Sequence, residues 1–313
     1  MKRLFPLLVA ILFNICYAQS DSNKVVNLIS YISKGETLNY AVVKTRIDSS
    51  NTKEPKTTEH NFNFKITVKD STDTSYIIAY YKTIDIFSNP QLEELPDELR
   101  KKMIELSSIK IDYETDELGK FKHILNEESL NEKIKLDLEE MKNISKSTLQ
   151  NADKFIDDFM GSFDSKTFIN LYAQDIHALH SALGGSFSIQ DTIEFEEEVM
   201  APILNIPISM KGILYCDEYD EENDFFSLTE EKYVEGNLVD KMLDFFKKYE
   251  NKDKPIPEEE FKNMKMDIYN HNIYQYNSLY GVATYVELFK EITVDSKTEN
   301  LKRIDIYEIS LVE

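Results

Sequence analysis

Asn61-Phe62-Asn63-Phe64-Lys65-Ile66-Thr67-Val68-Lys69 alternates polar and apolar residues without a break. Side chains at every second position of a strand face the same way, so Phe62, Phe64, Ile66 and Val68 share one buried face. The turn Asp70-Ser71-Thr72-Asp73 leads into a second strand carrying Tyr76, Ile78 and Tyr80, then Ile84 and Ile86. Its other face holds Ile77, Ala79 and Tyr81, so this strand is expected to be covered on both sides. Upstream, residues 38–47 form a third strand, joined to the first by a polar loop over 49–58. Downstream, Ile109-Ile111-Tyr113 and Phe121-Ile124 flank the turn Asp116-Glu117-Leu118-Gly119, which makes a hairpin.

The period then changes. Leu130, Ile134, Leu138 and Met141 recur at helical spacing behind Asn126 as N-cap. Leu149, Ala152, Ile156, Phe159 and Phe163 make a second stripe. Phe168, Tyr172, Ile176, Leu179 and Leu183 make a third, stopped at Gly184-Gly185. Strands return at 189–199, 206–217 and 225–234, followed by a helix over Leu238, Met242, Phe246 and Tyr249 and a charged linker at 251–257. Three long strands close the chain. The first places Met264, Met266, Ile268, Asn270, Asn272, Tyr274 and Tyr276 on one face, and the second Val282, Thr284, Val286, Leu288, Ile292 and Val294. The last runs from Leu301 to Val312, and its apolar phase slips between Ile306 and Tyr307, which predicts a bulge there.

These elements predict an α+β fold with roughly 11 strands in a large, curved, mostly antiparallel sheet, an open half-barrel. Amphipathic helices inserted between two strand groups cover its concave face. One domain is expected over residues 19–313, with strand groups at 36–125 and 188–313 and the helical insert at 127–184.

Met1-Lys2-Arg3, the apolar run to Cys16, and Cys16-Tyr17-Ala18 read as a signal peptide over residues 1–18, cleaved between Ala18 and Gln19. The apolar run is shorter than the ~20 residues that span a bilayer. The expected mature chain is exported, to the periplasm or beyond, without a transmembrane segment. It keeps one cysteine, Cys216, so no internal disulfide is expected, and Cys216 reads as a half-buried strand thiol.

With 36 Lys+Arg against 57 Asp+Glu the net charge is -21, and no basic stripe is visible, which excludes nucleic acid as the expected partner. A 42% apolar composition excludes a disordered acidic chain. No glycine-rich phosphate loop, GxSxG or HExxH occurs, so no catalytic residue, cofactor or nucleotide is assigned. His177 and His180 stand three apart on one helix beside Asp175, which makes them weak metal candidates. The acidic run 217–224 lacks the spacing of a calcium loop, and Glu194, Glu196, Glu197 and Glu198 largely alternate faces along a strand.

Tyrosine and phenylalanine number 18 each and gather on strands and helix stripes. Phe159, Phe163, Phe168, Tyr172, Tyr76, Tyr80, Tyr274 and Tyr276 are therefore the candidate lining of a cavity for a lipid or other apolar small molecule. An envelope protein-interaction scaffold without a cavity is the alternative reading, and a metal-dependent hydrolase using His177 and His180 a third.

The run from Tyr113 through Gly119 to Asn126-Glu127-Glu128, and the terminal hairpin from Tyr280-Gly281 to Glu308-Ile309-Ser310-Leu311, carry a resemblance. Strands, helical insert and strands behind a signal peptide are similar to secreted proteins of Bacteroidetes that resemble the LolA/LolB-type open β-barrel. That resemblance implies a non-enzymatic carrier of lipoprotein or lipid beneath a helical lid, and it carries over no individual residue.

Overall fold

The strand-forming alternation is realised in a sheet of 11 antiparallel strands. The computed structural model describes residues 24–84, 96–148, 165–200, 207–236, 238–240, 264–297 and 299–312. In chain order the elements are β1 (Val25–Asn27), β2 (Thr37–Ser50), β3 (Lys56–Thr72), β4 (Ser75–Ile84), α1 (Asp97–Ser107), β5 (Lys110–Asp116), β6 (Phe121–Ile124), α2 (Glu127–Thr148), α3 (Ser165–His180) and β7 (Ser186–Ser188). They continue as β8 (Thr192–Met200), β9 (Pro207–Asp220), β10 (Phe225–Val234), β11 (Lys265–Asn277), β12 (Val282–Asp295) and β13 (Asn300–Val312).

The spatial order is β6-β5-β4-β3-β2-β13-β12-β11-β10-β9-β8. Two meanders thus meet at the centre, where the last strand pairs with β2, Leu311 opposite Tyr40 and Asp305 opposite Arg46. Among the described residues the sheet stays open, with β6 and β8 as its edges. Helix α3 lies on one face, and α2 packs on α3 and α1 through Leu130, Ile134, Leu138 and Met141, all buried. The main core sits between these layers and includes Tyr80, Tyr113, Tyr276, Phe226 and Ile176, each fully enclosed.

A two-stranded ribbon of β1 and β7 completes the edge of this core. The chain after β1 is held by its backbone on several sides. Leu28 N–H donates to Gly185 O at 3.1 Å, Ser30 N–H to Leu118 O at 3.0 Å and Tyr31 N–H to Tyr280 O at 2.9 Å.

Several sequence expectations change. The loop over 49–58 shrinks to the residues between β2 and β3, because polar side chains continue the ladder as far as Asp48 opposite Lys56. Asn126 precedes α2, but its side chain serves the neighbouring strand, accepting from Asp112 N–H at 2.9 Å and donating to Lys110 O at 3.2 Å. Helix α1, whose apolar stripe is sparse, and the three-residue strands β1 and β7 are additions.

The bulge expected in β13 is absent, since its pairing with both β12 and β2 runs in register through Ile306 and Tyr307. The phase slip arises instead because Ile304 and Ile306 face outward while Tyr307, Ile309 and Leu311 face the helices. A bulge does occur at Gln275/Tyr276. It sets Ala283, not Thr284, opposite Tyr276 and so shifts the inward phase at the start of β12. The second apolar stripe and most of the helix expected from Leu238 lie outside the described residues.

Candidate functional site

Period-2 geometry decides what the helix-side face of the central strands presents. On β2 the inward phase that begins with Leu38, Tyr40 and Val42 continues as Lys44, Arg46 and Asp48. Pairing extends these positions across the sheet. Lys44 stands opposite Tyr307, Tyr307 opposite Leu288 and Leu288 opposite Asn272. One pleat further, Arg46 faces Asp305, Asp305 faces Lys290 and Lys290 faces Asn270. The same face is thus apolar at one end of these strands and polar across their middle.

A pocket of about 300 Å³ opens over these polar rungs, walled by Lys44, Arg46, Asn270, Lys290, Asp305 and Tyr307, with Gln174 of α3 at its side. Arg46 Nε donates to Asp305 Oδ1 at 2.6 Å, and this bond raises the guanidinium pKa. Asn270 Oδ1 is buried without a hydrogen-bond partner, an arrangement that costs about 1–3 kcal/mol.

A second pocket, about 410 Å³, occupies the next rungs of the same strands. Its walls include Met266, Ile292, Val294 and Leu301, with the Arg303–Asp48 ion pair (2.7 Å) between them. Met266, Ile292 and Val294 are half-buried and Leu301 is exposed, in contrast to the sealed core under α3. The two pockets lie end to end on neighbouring rungs, and together, as a trough, they extend ~20 Å along β2 from Lys44 to Ser50 at the ordinary rise per strand residue.

The wall beside the first pocket is held by a buried ionic cluster. Asp175 of α3, fully enclosed, accepts from Lys82 Nζ at 3.0 Å, from Tyr80 Oη at 2.5 Å and from Tyr307 Oη. Lys82 also sits 4.0 Å over the Phe62 ring. Burial outweighs the attraction of Asp175 and holds the Lys82 pKa below its ordinary value, whereas Tyr307 is pushed up by burial and then by the Asp175 charge. Three hydrogen bonds to one carboxylate fix α3 on β4 and β13, and so fix Gln174 and Tyr307 at the pocket.

Four of the tyrosines named as cavity candidates act as struts between the layers. Tyr76 Oη donates to Ser30 O at 3.0 Å, and Tyr276 Oη to Leu179 O at 3.2 Å. Tyr274 Oη donates to Glu230 at 3.3 Å, and Tyr80 belongs to the Asp175 cluster. Neither pocket is walled by any of these four. Phe168 and Tyr172 stand on α3 but their side chains, and Phe159 and Phe163 altogether, lie outside the described residues.

His177 and His180 do not converge with Asp175. His180 Nδ1–H donates to Gly119 O at 2.7 Å and its Nε2 accepts from Tyr113 Oη at 2.8 Å, so both ring nitrogens are occupied. His177 rests edge-on against Phe121, 4.6 Å between centroids. Among the described residues no group of three His, Cys, Asp or Glu is placed to hold a metal. Cys216 is half-buried on β9, and burial raises its thiol pKa. Glu196 and Glu197 pair with Lys211 and Lys232 respectively.

Burial drives the His180 pKa down to about 4 from its ordinary 6.5. Between those values the unfolded chain binds a proton that the folded chain excludes. His180 therefore withdraws no stability above pH 6.5 and costs progressively more as the pH falls toward 4. We expect wild type to lose roughly 2–3 kcal/mol more than His180→Gln between pH 7 and pH 4.5 in urea unfolding. Parallel losses in the two proteins would place the acid-sensitive group elsewhere.

No family model matches this chain, and no curated protein matches it in sequence. Among solved structures it is similar to lipovitellin, described in a study of lipid-protein interactions, with a TM-score of 0.38 and 9% identity over 90% of this chain. The chain spans 26% of the lipovitellin chain. It is also similar to Ail, the attachment invasion locus protein of Yersinia pestis, with a TM-score of 0.14 and 3% identity, covering 90% of this chain and 100% of Ail. Superpositions this loose fix neither fold nor function. What this molecule presents for itself is an open antiparallel sheet with helices on one face and a trough along its central strands.

Proposed function

We propose that this protein is an exported, non-enzymatic carrier that holds a lipid-like molecule in the trough on the helix side of its sheet. The observation that carries the reading is the pair of adjoining pockets, one polar and one floored by Met266, Ile292, Val294 and Leu301. Apolar side chains that face inward yet remain half-exposed are costly in water, at about 25 cal/mol per Å², and a bound chain removes that cost. The length of the trough suits one extended acyl chain. The arrangement fits what the resemblance to LolA/LolB-type carriers implies: a sheet left open, helices over one face and a ligand between. Export by residues 1–18, to the periplasm or beyond, belongs to the same proposal.

An uncharged probe tests the apolar part alone. Oleyl alcohol below its solubility limit is expected to bind saturably at one molecule per chain. Val294→Arg, which places a charge in the floor, is expected to weaken that binding at least about tenfold without moving the unfolding midpoint. Absence of saturable binding, or equal binding by the variant, would overturn the trough as a ligand site.

A further inference from the structure

We propose that the Lys44–Arg46–Lys290 end of the trough is a subsite for the anionic head of the bound amphiphile, a carboxylate or phosphate, with the tail directed past Ile292 and Val294. This rests on the trough reading and names the class of ligand it takes.

The chain carries a net charge of -21, yet three cations gather at this pocket against one acid in its wall, Asp305. Asp305 is engaged by Arg46. Among the described residues, neither Lys44 nor Lys290 has a carboxylate within ion-pair distance, and both are half-buried. Among the described residues the other half-buried sheet lysines are paired, Lys211 with Glu196 and Glu235. Lys232 is likewise half-buried and pairs with Glu197 and Glu230. Lys44 also lies near enough to Lys82 to repel it, and Asp175 answers only the second of these charges.

Register defines the shape. Arg46 and Lys290 flank Asp305 on one rung, and Lys44 stands one pleat away beside Tyr307. Lys44 and Lys290 stand on either side of β13 and one pleat apart, roughly 12 Å between Cα atoms, so their long side chains can converge on an oxyanion held above β13. The pocket is charged at this end, and the next rungs are apolar at Ile292 and Val294. A free anion would use only the first pocket and an uncharged chain only the second. An amphiphilic anion uses both.

Calorimetric titration of the full chain with submicellar oleate, oleyl alcohol, lysophosphatidic acid and inorganic phosphate tests this. Oleate or lysophosphatidic acid is expected to bind about tenfold or more tightly than oleyl alcohol, with the advantage shrinking as salt rises. The double variant K44Q/K290Q is expected to remove that advantage, so that oleate binds the variant no more tightly than oleyl alcohol does. Whichever of the two anions gains more identifies the head as carboxylate or phosphate. Equal binding of oleate, lysophosphatidic acid and alcohol, insensitive to K44Q/K290Q and to salt, would overturn the subsite while the trough stood. Inorganic phosphate binding without any amphiphile would make this a free-anion site and overturn the proposal. Failure of every probe would remove the trough reading itself. Salt dependence of the wild type keeps the test decisive should K44Q/K290Q not fold.

Discussion

Asp175→Asn is expected to lower the free energy of unfolding by about 3–5 kcal/mol, the effect of stranding one member of a buried ion pair. The substitution keeps the volume and one acceptor oxygen, while one of the two tyrosine hydroxyls must turn to accept from the new amide. What remains is Lys82, buried beside Phe62 and deprived of the Asp175 carboxylate. Adding Lys82→Met removes the ammonium that Asp175 neutralises and should recover a good part of the loss. The double-mutant cycle in urea unfolding therefore has a large coupling term. A single-variant effect below about 1 kcal/mol would mean that the cluster does not hold α3 to the sheet. Because Tyr307 and Gln174 also wall the first pocket, ligand affinity should fall along with stability.

Gly281→Ala is the second large effect. Gly281 has φ +59, and a Cβ there would lie 2.1 Å from Ile29 O, 2.5 Å from its carbonyl carbon and 2.8 Å from Ser30 N. Those are backbone atoms of the segment that follows β1, which is pinned on its other sides by Leu118 and Gly185 and cannot step away. Left-handed strain of ~1–2 kcal/mol thus adds to displacement of a buried segment, and we expect a total of about 3–4 kcal/mol. Gly35 provides the control, with φ +87 and nothing within 4 Å of its added Cβ. Gly35→Ala should cost only the strain. Equal losses at the two positions would show that the contact with Ile29 is not what Gly281 serves.

The strands and the two amphipathic helices that frame the described core could be read from the sequence because their signals are local. Phe62 to Val68 and Leu130 to Met141 each announce a period within one short window. The pairing of β2 with β13 could not be read, since it joins opposite ends of the chain, and the site depends on it. Lys44 and Arg46 look like the frayed polar end of an apolar strand until Asp305 and Lys290 are placed beside them.

One local signal was present. Asn270 and Asn272 interrupt an otherwise apolar inward phase on β11, between Ile268 and Tyr274, and both prove to wall the pocket. The tyrosines carry a structural role that the sequence pattern does not show. Their bulk marks a buried face correctly, but a buried hydroxyl needs a partner, and here Ser30, Asp175, Leu179 and Glu230 supply it, so these rings tie the layers together. His180 is similar, because two satisfied ring nitrogens are what a buried imidazole requires.

The most direct test of the carrier reading is native mass spectrometry of the full chain, purified without detergent from the cells that make it and again after incubation with oleate. The account predicts a single adduct of lipid mass in the first sample, lost on acid unfolding, and its replacement by one oleate in the second. An unadorned chain mass in both samples would contradict it.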